Sequence, residues 1–214
     1  ASDVYKRQPM SKETLDLMLG LNRQELEIQI ALQCAPLLTG RKISNLLTVD
    51  KRFRSAVLRL FRSSAVSCYV LYESDDRITF LLYVREKLEA YLRTEKVKKL
   101  MEEFGCSGCM LSKILYRVSE RYRAHMEGKG DFPHEIGLLL GYPPEDVIGF
   151  IENRGQNPLY IGYWKVYSNL EECRKVFAGY DQAREKVIHM VSSGMTVKNI
   201  MELYDLHSRK LMAV

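Results

Sequence analysis

A histidine and a glutamate stand at a predicted helix start, where their side chains could carry acid–base chemistry. Pro133 precedes His134 and Glu135, and the following residues predict a helix to Leu140. An imidazole and a carboxylate can move protons, and the free N–H groups of a helix start can hold an anion. The alternative is structural, because acids in a first turn complement the helix dipole and a histidine there can cap or pack. His134 and Glu135 are therefore candidate catalytic residues.

An aromatic run further along the chain predicts a surface for a flat ligand. Tyr163, Trp164 and Lys165 lie in a predicted strand over 160–167, and Gly162 would let a ligand or a backbone segment approach closely. Aromatic rings beside a lysine could stack on a nucleobase or a flavin. The alternative is a half-buried strand whose tyrosine hydroxyls stay hydrated. Strand alternation would place Trp164 on one face, and Tyr163 and Lys165 on the other.

The cysteines provide two further candidates. Cys106 and Cys109 have the spacing of a redox dithiol or of half a zinc site, and a predicted helix follows them. Because no second pair of this spacing is present, the sequence predicts no metal site, and two incidental small residues around a turn are the alternative. Cys34 would form a thiolate–imidazole pair with His134 if the fold brought them together. A buried, apolar cysteine is the alternative for Cys34.

Two basic helices suggest a nucleic-acid-binding alternative. The predicted helix over 51–62 carries five basic residues on one broad face, including Arg52, Arg59 and Arg62, and no acidic residue. Residues 113–123 carry a second basic stripe. Such stripes can contact phosphates. The alternative for both helices is a solvated face that binds nothing.

Composition bounds the class of protein. Hydrophobic residues make up 46% of the 214 residues and charged residues 28%, which predicts a folded chain. The net charge of +5 does not by itself imply nucleic acid. No apolar run reaches the roughly 18 residues of a membrane helix. Five widely spaced cysteines argue against a secreted disulfide scaffold and predict a cytoplasmic protein. The sequence identifies neither a cofactor nor a partner.

Local patterns predict an α+β fold. Residues 65–72 and 78–85 predict an antiparallel hairpin whose second strand is central, because that strand is apolar on both faces. An early helix should stop before Pro36, and one continuous helix should cover about 86–104. Gly141 should end the helix after Pro133, and Pro144 should start a second helix that pairs with it. The residues buried in this pair should be Ile136, Leu139, Leu140, Val147, Phe150 and Ile151. We predict a single domain over 10–214, in which a small, mainly antiparallel sheet holds the hairpin and the 160–167 strand, with helices packed around it.

Several motifs resemble a known family. They are Phe132–Gly137, Leu140–Pro143, Glu145–Val147, Gly149–Asn153 and Gly162–Tyr167. Together they closely resemble the signature of an uncharacterised bacterial family of about 200 residues, a domain of unknown function common in anaerobic Gram-positive bacteria. Related chains often carry a cysteine just before the Gly-Tyr-Trp-Lys run, where this chain has Leu159, Tyr160 and Ile161. The resemblance implies no established activity.

Residues 1–8 are interpreted as adapter-derived and not as part of the protein. Residues 1–8 match, in frame, the translation of a transposase-type sequencing adapter. This match predicts a metagenomic gene sequence, with Met10 as a plausible start and residues 1–9 as an adapter-derived or disordered tail.

The residues favour a small-molecule or cofactor-binding protein. Its site would combine the His134–Glu135 helix start with the Trp164–Lys165 strand, with His134 partly exposed and within about 10 Å of that strand, a pocket-scale separation. One alternative is a nucleic-acid-binding or regulatory module that uses helices 51–62 and 113–123. The other is a protein–protein adaptor without chemistry. The sequence does not decide whether the protein is an enzyme.

Overall fold

The computed structural model describes the backbone of residues 10–62, 64–106 and 108–211, with side chains to residue 204. The adapter-like residues 1–8 lie outside the described residues. The α+β fold is confirmed, with helices packed around a small antiparallel sheet. Among the described residues, no helix is both long and apolar enough to cross a membrane.

The elements are numbered in chain order. They are α1 (Lys12–Gly20), α2 (Leu26–Leu38), β1 (Ser44–Asp50), α3 (Arg54–Phe61), β2 (Val66–Glu73), β3 (Arg77–Val84), α4 (Arg85–Leu92), α5 (Glu95–Glu103), α6 (Leu111–Met126), α7 (Glu135–Leu139), α8 (Pro144–Glu152), β4 (Tyr160–Ile161), β5 (Lys165–Val166), α9 (Leu170–Ser192) and α10 (Val197–Leu211).

The chain divides into two compact units. One comprises Ile43–Asn157, and the other comprises Ala1–Lys42 with Pro158–Val214. The single domain over 10–214 stays a prediction, and each unit is described by itself below.

The 43–157 unit is built on a three-stranded antiparallel sheet in the order β1-β3-β2. The predicted hairpin and its central second strand are confirmed. Side chains from Ile78 to Tyr83 are all buried, as a strand covered on both faces requires. Helix α6 packs on β2, where the Tyr69 hydroxyl and the Ser119 hydroxyl are hydrogen-bonded at 3.2 Å.

The other unit is mainly helical. Helix α9 packs against α1 and α2, and α10 packs against α2. Its buried core includes Ile30, Leu37, Phe177, Val187 and Ile188.

The prediction that 160–167 forms one strand of the main sheet was wrong. The segment turns at 162–164 and forms its own two-stranded ladder, β4 and β5, in which Tyr160 pairs with Val166. Gly162 lies against the Phe177 ring so closely that a Cβ would fall 2.2 Å from a ring carbon. The predicted close approach at this glycine is therefore to a side chain of α9, and the turn breaks the expected alternation of faces.

Two helix boundaries were also predicted wrongly. Helix α2 continues through Pro36 to Leu38, because the proline lies in the last turn of a segment whose residues 34–38 are all buried. The expected helix over 86–104 is two helices, α4 and α5. The backbone is extended at Thr94, and the Thr94 hydroxyl donates to the carbonyl of Tyr91.

Candidate functional site

Helix α7 and the segment before it position His134. The residue occupies the N-cap position of α7 with helical backbone angles, φ −63° and ψ −23°, and its side chain makes no capping hydrogen bond. The capping alternative for His134 is therefore wrong. The first turn closes instead through the backbone, where the Ile136 amide donates to the carbonyl of Pro133.

The His134 ring belongs to a partly exposed row of rings on the 43–157 unit, here named the aromatic strip. The ring centroids of Phe132 and Phe150 lie 5.9 and 5.6 Å from that of His134. Phe132 also contacts His125 at 5.3 Å and Tyr122 at 6.3 Å. The aromatic strip consists of Tyr72, Tyr122, His125, Phe132, His134 and Phe150.

His134 is available for hydrogen bonding. Its side chain is half-buried, as predicted, and no hydrogen bond from another described residue reaches its ring nitrogens. Partial burial lowers the pKa of His134 below its ordinary value, the Arg121 charge lowers it further, and Glu135 and Asp131 oppose the shift. This shift favours the neutral ring, in which one nitrogen donates and the other accepts.

Glu135, the neighbour of His134, is almost fully buried. Its side chain is 1% exposed, and Oε1 accepts a charge-assisted hydrogen bond from Arg121 of α6 at 2.5 Å. Oε2 is buried without a hydrogen-bond partner in the described part of the chain. The guanidinium side chain of Arg121 is 44% exposed. The pair thus joins α6 to α7 and places a partly exposed cation close to the His134 ring.

The predicted helical pair that supports the site is largely confirmed. Ile136, Leu139 and Leu140 are buried with Val147 in the core of this unit, while Phe150 and Ile151, also predicted to be buried, are half-buried.

Several close contacts fix the position of α7. Gly141 ends the pair's first helix with φ +73°, and a Cβ on it would lie 2.9 Å from Ile43. The Ser44 hydroxyl of β1 donates to the carbonyl of Leu139. The Tyr91 hydroxyl of α4 donates to the carbonyl of Tyr142. These contacts fix α7 against the sheet and α4, which is what holds His134 beside Phe150 of α8.

The aromatic candidates lie in the other unit. Trp164 is 9% exposed, and its ring packs edge-on against Phe177 at 4.4 Å. The Tyr163 hydroxyl donates to Asp181 at 2.9 Å, and Lys165 is half-buried on β5. His134 and the Trp164–Lys165 segment belong to different units, so their predicted proximity and shared pocket stay predictions.

Cys34 lies in the core of α2 with no exposed surface. Its neighbour is the buried Lys42. Desolvation lowers the pKa of Lys42 to about 8, and the interaction with Cys34 opposes this shift in part. Cys34 and His134 belong to different units, so the thiolate–imidazole pair stays a prediction.

The basic helix over 51–62 is partly neutralised. Lys51 and Arg54 both form ion pairs with Glu73, at 3.0 and 3.3 Å. Arg52 pairs with Asp50, which also caps the first turn. Only part of the predicted basic face is therefore free to contact phosphates.

In the second basic helix, α6, most of the stripe has protein partners. Arg117 donates to the carbonyl of Gly105, Arg121 pairs with Glu135, and Arg123 pairs with Glu120.

Cys106 and Cys109 lie between α5 and α6 as free thiols. Among the residues described, no group of three or more His, Cys, Asp and Glu side chains is arranged to hold a metal ion.

Sequence reasoning missed most of the residues around His134. Phe132 and Phe150 belong to the family-like motifs, and no pattern in the sequence singles out Tyr122 or His125 as residues of this site. Arg121 was recognised only as part of a basic stripe. No local signal pairs it with Glu135, fourteen positions later, because their contact depends on how α6 and α7 pack.

Comparison with known proteins identifies a family. Residues 30–201 match the family model described as "Protein of unknown function (DUF3793)". No curated protein matches the chain, and no solved structure matches it. The prediction of an uncharacterised family is confirmed, while its suggested bacterial distribution stays a prediction. Because the match covers most of the chain, this protein belongs to the family of unknown function DUF3793.

Proposed function

We propose that the 43–157 unit binds a small, flat, polar molecule on the aromatic strip, with His134 as the central hydrogen-bonding group. The observation that carries this proposal is the state of the His134 ring. It is half-buried between Phe132 and Phe150, and its nitrogens have no hydrogen-bond partner among the described residues.

The surroundings of the ring favour this class of ligand. Phe132 is 39% exposed, so its ring has a face that a planar group can cover. Stacking on an aromatic side chain contributes about 1–3 kcal/mol per base in nucleic-acid complexes. The partly exposed Arg121 guanidinium adds a positive charge near the imidazole. A ligand with a planar ring and an anionic substituent, such as a nucleotide or a flavin phosphate, would use all three groups.

The proposal concerns binding, because acid–base catalysis by His134 also requires a substrate whose reacting atom lies within hydrogen-bonding distance. Tyr163, Trp164 and Lys165 stay a proposal of their own, as a second contact region for a flat ligand on the other unit. Trp164 is the one tryptophan of the chain, so its fluorescence reports on that region alone. The cytoplasmic location is likewise retained as a proposal.

Changes at His134 should weaken ligand binding with little effect on stability. Flavin mononucleotide and AMP are suitable probes, followed by flavin fluorescence and by calorimetry. His134→Ala removes both the ring and its nitrogens, and we expect affinity to fall about tenfold or more. His134→Phe is the matched control, since it keeps a ring in place and should lose only the hydrogen-bond contribution, about fivefold. Thermal unfolding should change by only a few degrees in both variants.

Two outcomes would contradict the proposal. Wild-type protein that binds neither probe at millimolar concentration would remove it. Variants that bind as tightly as the wild type would place the ligand elsewhere. Quenching of Trp164 emission by flavin mononucleotide would support the second contact region, and an unchanged emission would remove Tyr163, Trp164 and Lys165 from the site.

The nucleic-acid alternative rests on Arg59 and Arg62. Both side chains are exposed and have no ion pair within the described residues, unlike Arg52 and Arg54. If this surface binds nucleic acid, the double change Arg59→Glu and Arg62→Glu should weaken binding, and wild-type affinity should fall steeply with salt. Fluorescence anisotropy with a labelled single-stranded oligonucleotide at low salt tests this. We expect no measurable binding, because three of the five bases already have acidic partners.

The adaptor alternative predicts an exposed apolar patch. The exposed apolar side chains include Met110 at 77% and Tyr116 at 60%. Apolar side chains exposed singly are common on protein surfaces, so this alternative is the least supported of the three.

A further inference from the structure

A cavity on the 43–157 unit lies away from the aromatic strip. It occupies about 440 Å³ between α4, α5 and the start of α6, within the range of about 300–1,000 Å³ typical of ligand sites. Leu92, Met101 and Ile114 form apolar parts of its wall, and Cys106 and Cys109 contribute two thiols. Its lining includes no residue of the aromatic strip, so its chemistry is independent of the function proposed above.

The backbone brings the two cysteines close together. Two residues after α5, Gly105 has φ +76°, and the Cys106 amide then donates to the carbonyl of Met101. The Cys109 amide donates to the carbonyl of Cys106 at 3.3 Å. An amide–carbonyl hydrogen bond between residues three apart accompanies Cα atoms within about 7 Å of each other. A disulfide spans Cα atoms about 4.4–6.8 Å apart, so this hydrogen bond is compatible with disulfide closure.

The two thiols differ in accessibility. Cys106 is 5% exposed and packs in the core, whereas Cys109 is half-buried. Cys109 also stands just before the start of α6. Burial raises the pKa of Cys106, with the Arg117 charge opposing this shift. Cys109 is therefore the thiol that a dissolved molecule reaches first, and Cys106 is the buried thiol behind it.

The charges around the cavity favour an anionic ligand. Three basic side chains and two acidic ones line it. Glu89 is shared by Arg85 and Arg93, at 3.3 Å from each. Lys98 has no ion pair in the part of the chain that the structure describes. It is therefore the base most available to a carboxylate on a bound molecule.

We propose that Cys106 and Cys109 are a redox-active dithiol that reduces a small disulfide carrying carboxylate groups, bound in this cavity. The Cys109 thiolate attacks one sulfur of the disulfide, the disulfide bond breaks, and one thiolate leaves and is protonated by solvent. Cys106 then attacks the Cys109 sulfur and expels the second thiolate, which takes up the Cys106 proton. Two protein thiols are oxidised to one disulfide, and the bound disulfide is reduced to two thiols.

Mass spectrometry tests the order of these steps. Fully reduced protein is treated with oxidised glutathione as the probe, then quenched with acid and alkylated. We expect a Cys106–Cys109 disulfide in the wild type. Cys106→Ser should stop at a stable mixed disulfide between glutathione and Cys109. Cys109→Ser should react at least about tenfold more slowly than the wild type, because only the buried thiol is left.

Cys68 provides an internal reference, since burial raises its pKa to about 12 and it lies outside this cavity. In the wild type, N-ethylmaleimide should label Cys109 before Cys106 under native conditions, a result that does not depend on the folding of a variant. Preferential oxidation of Cys68, or a wild-type mixed disulfide on Cys109 that never resolves, would overturn the dithiol proposal.

The preference of the cavity for an anionic disulfide is tested at Lys98, with an uncharged disulfide as the control. Lys98→Glu should slow oxidation by oxidised glutathione about fivefold to tenfold, the scale of one or two surface charge interactions. Oxidation by the uncharged hydroxyethyl disulfide should change less than about twofold, since it offers no carboxylate to Lys98. Equal slowing with both disulfides would overturn the role of the charge, and wild-type oxidation by neither would overturn the whole proposal.

Discussion

Arg121→Met should lower the free energy of unfolding by about 3–5 kcal/mol, because it leaves a buried carboxylate without its cation. Glu135 is 1% exposed and its second oxygen already lacks a hydrogen-bond partner among the described residues. Methionine keeps much of the apolar stem of the arginine, so the loss should reflect charge rather than packing. Urea denaturation at pH 7 measures the effect.

The matching change on the other partner should be far milder. Arg121 is 44% exposed, so its guanidinium can turn to water when Glu135→Gln removes the negative charge. We expect a loss of about 1–2 kcal/mol, the scale of an imperfectly satisfied buried polar group. The double variant Arg121→Met with Glu135→Met should be more stable than Arg121→Met alone, because no charge is then buried. Equal losses of unfolding free energy in Arg121→Met and Glu135→Gln would show that water reaches the Glu135 carboxylate.

Leu140→Ala should cost about 2–5 kcal/mol of unfolding free energy. Leu140 is 6% exposed at the end of α7, in the same core cluster as Ile136 and Val147. Alanine would leave a cavity where α7 packs with α8, which the backbone contacts of Gly141 and Tyr142 prevent from collapsing fully.

Ile148→Ala is the control for this change. Ile148 lies on α8 with 38% of its surface exposed, so its truncation should cost less than about 1 kcal/mol. Urea denaturation of the two variants measures the difference. Their midpoints can be compared directly if the unfolding free energies depend on urea concentration with the same slope. Similar losses would mean that the α7–α8 contact contributes little to stability.

Features with a strong local cause were predictable from the sequence. The hairpin over 66–84 follows from β-branched and aromatic runs around a turn, and β3 is central because it is apolar on both faces. Gly141 and Pro144 mark the boundary between α7 and α8 through backbone preferences that act within a few residues. Partial exposure of His134 was also predicted correctly, from the contrast between its side chain and its apolar neighbours.

Features with a non-local cause were not predictable. Residues 160–167 have strand composition, but the Phe177 ring packed on Gly162 bends them into a short ladder. Pro36 stays inside α2 because burial of the surrounding residues outweighs a local stop signal. The rings that flank His134 come from two segments, and their convergence depends on how α7 packs with α8.

The sequence by itself determined the fold class, the β2–β3 hairpin, the helical pair after Pro133 and the family, because each depends on residue types acting over a few positions or on motif identity. Only the tertiary structure decided that Glu135 is buried beside Arg121, that His134 lies between Phe132 and Phe150, and that Cys106 and Cys109 line a cavity. The physical reason is that burial and side-chain proximity are set by packing between elements distant in the chain, which local periodicity does not encode.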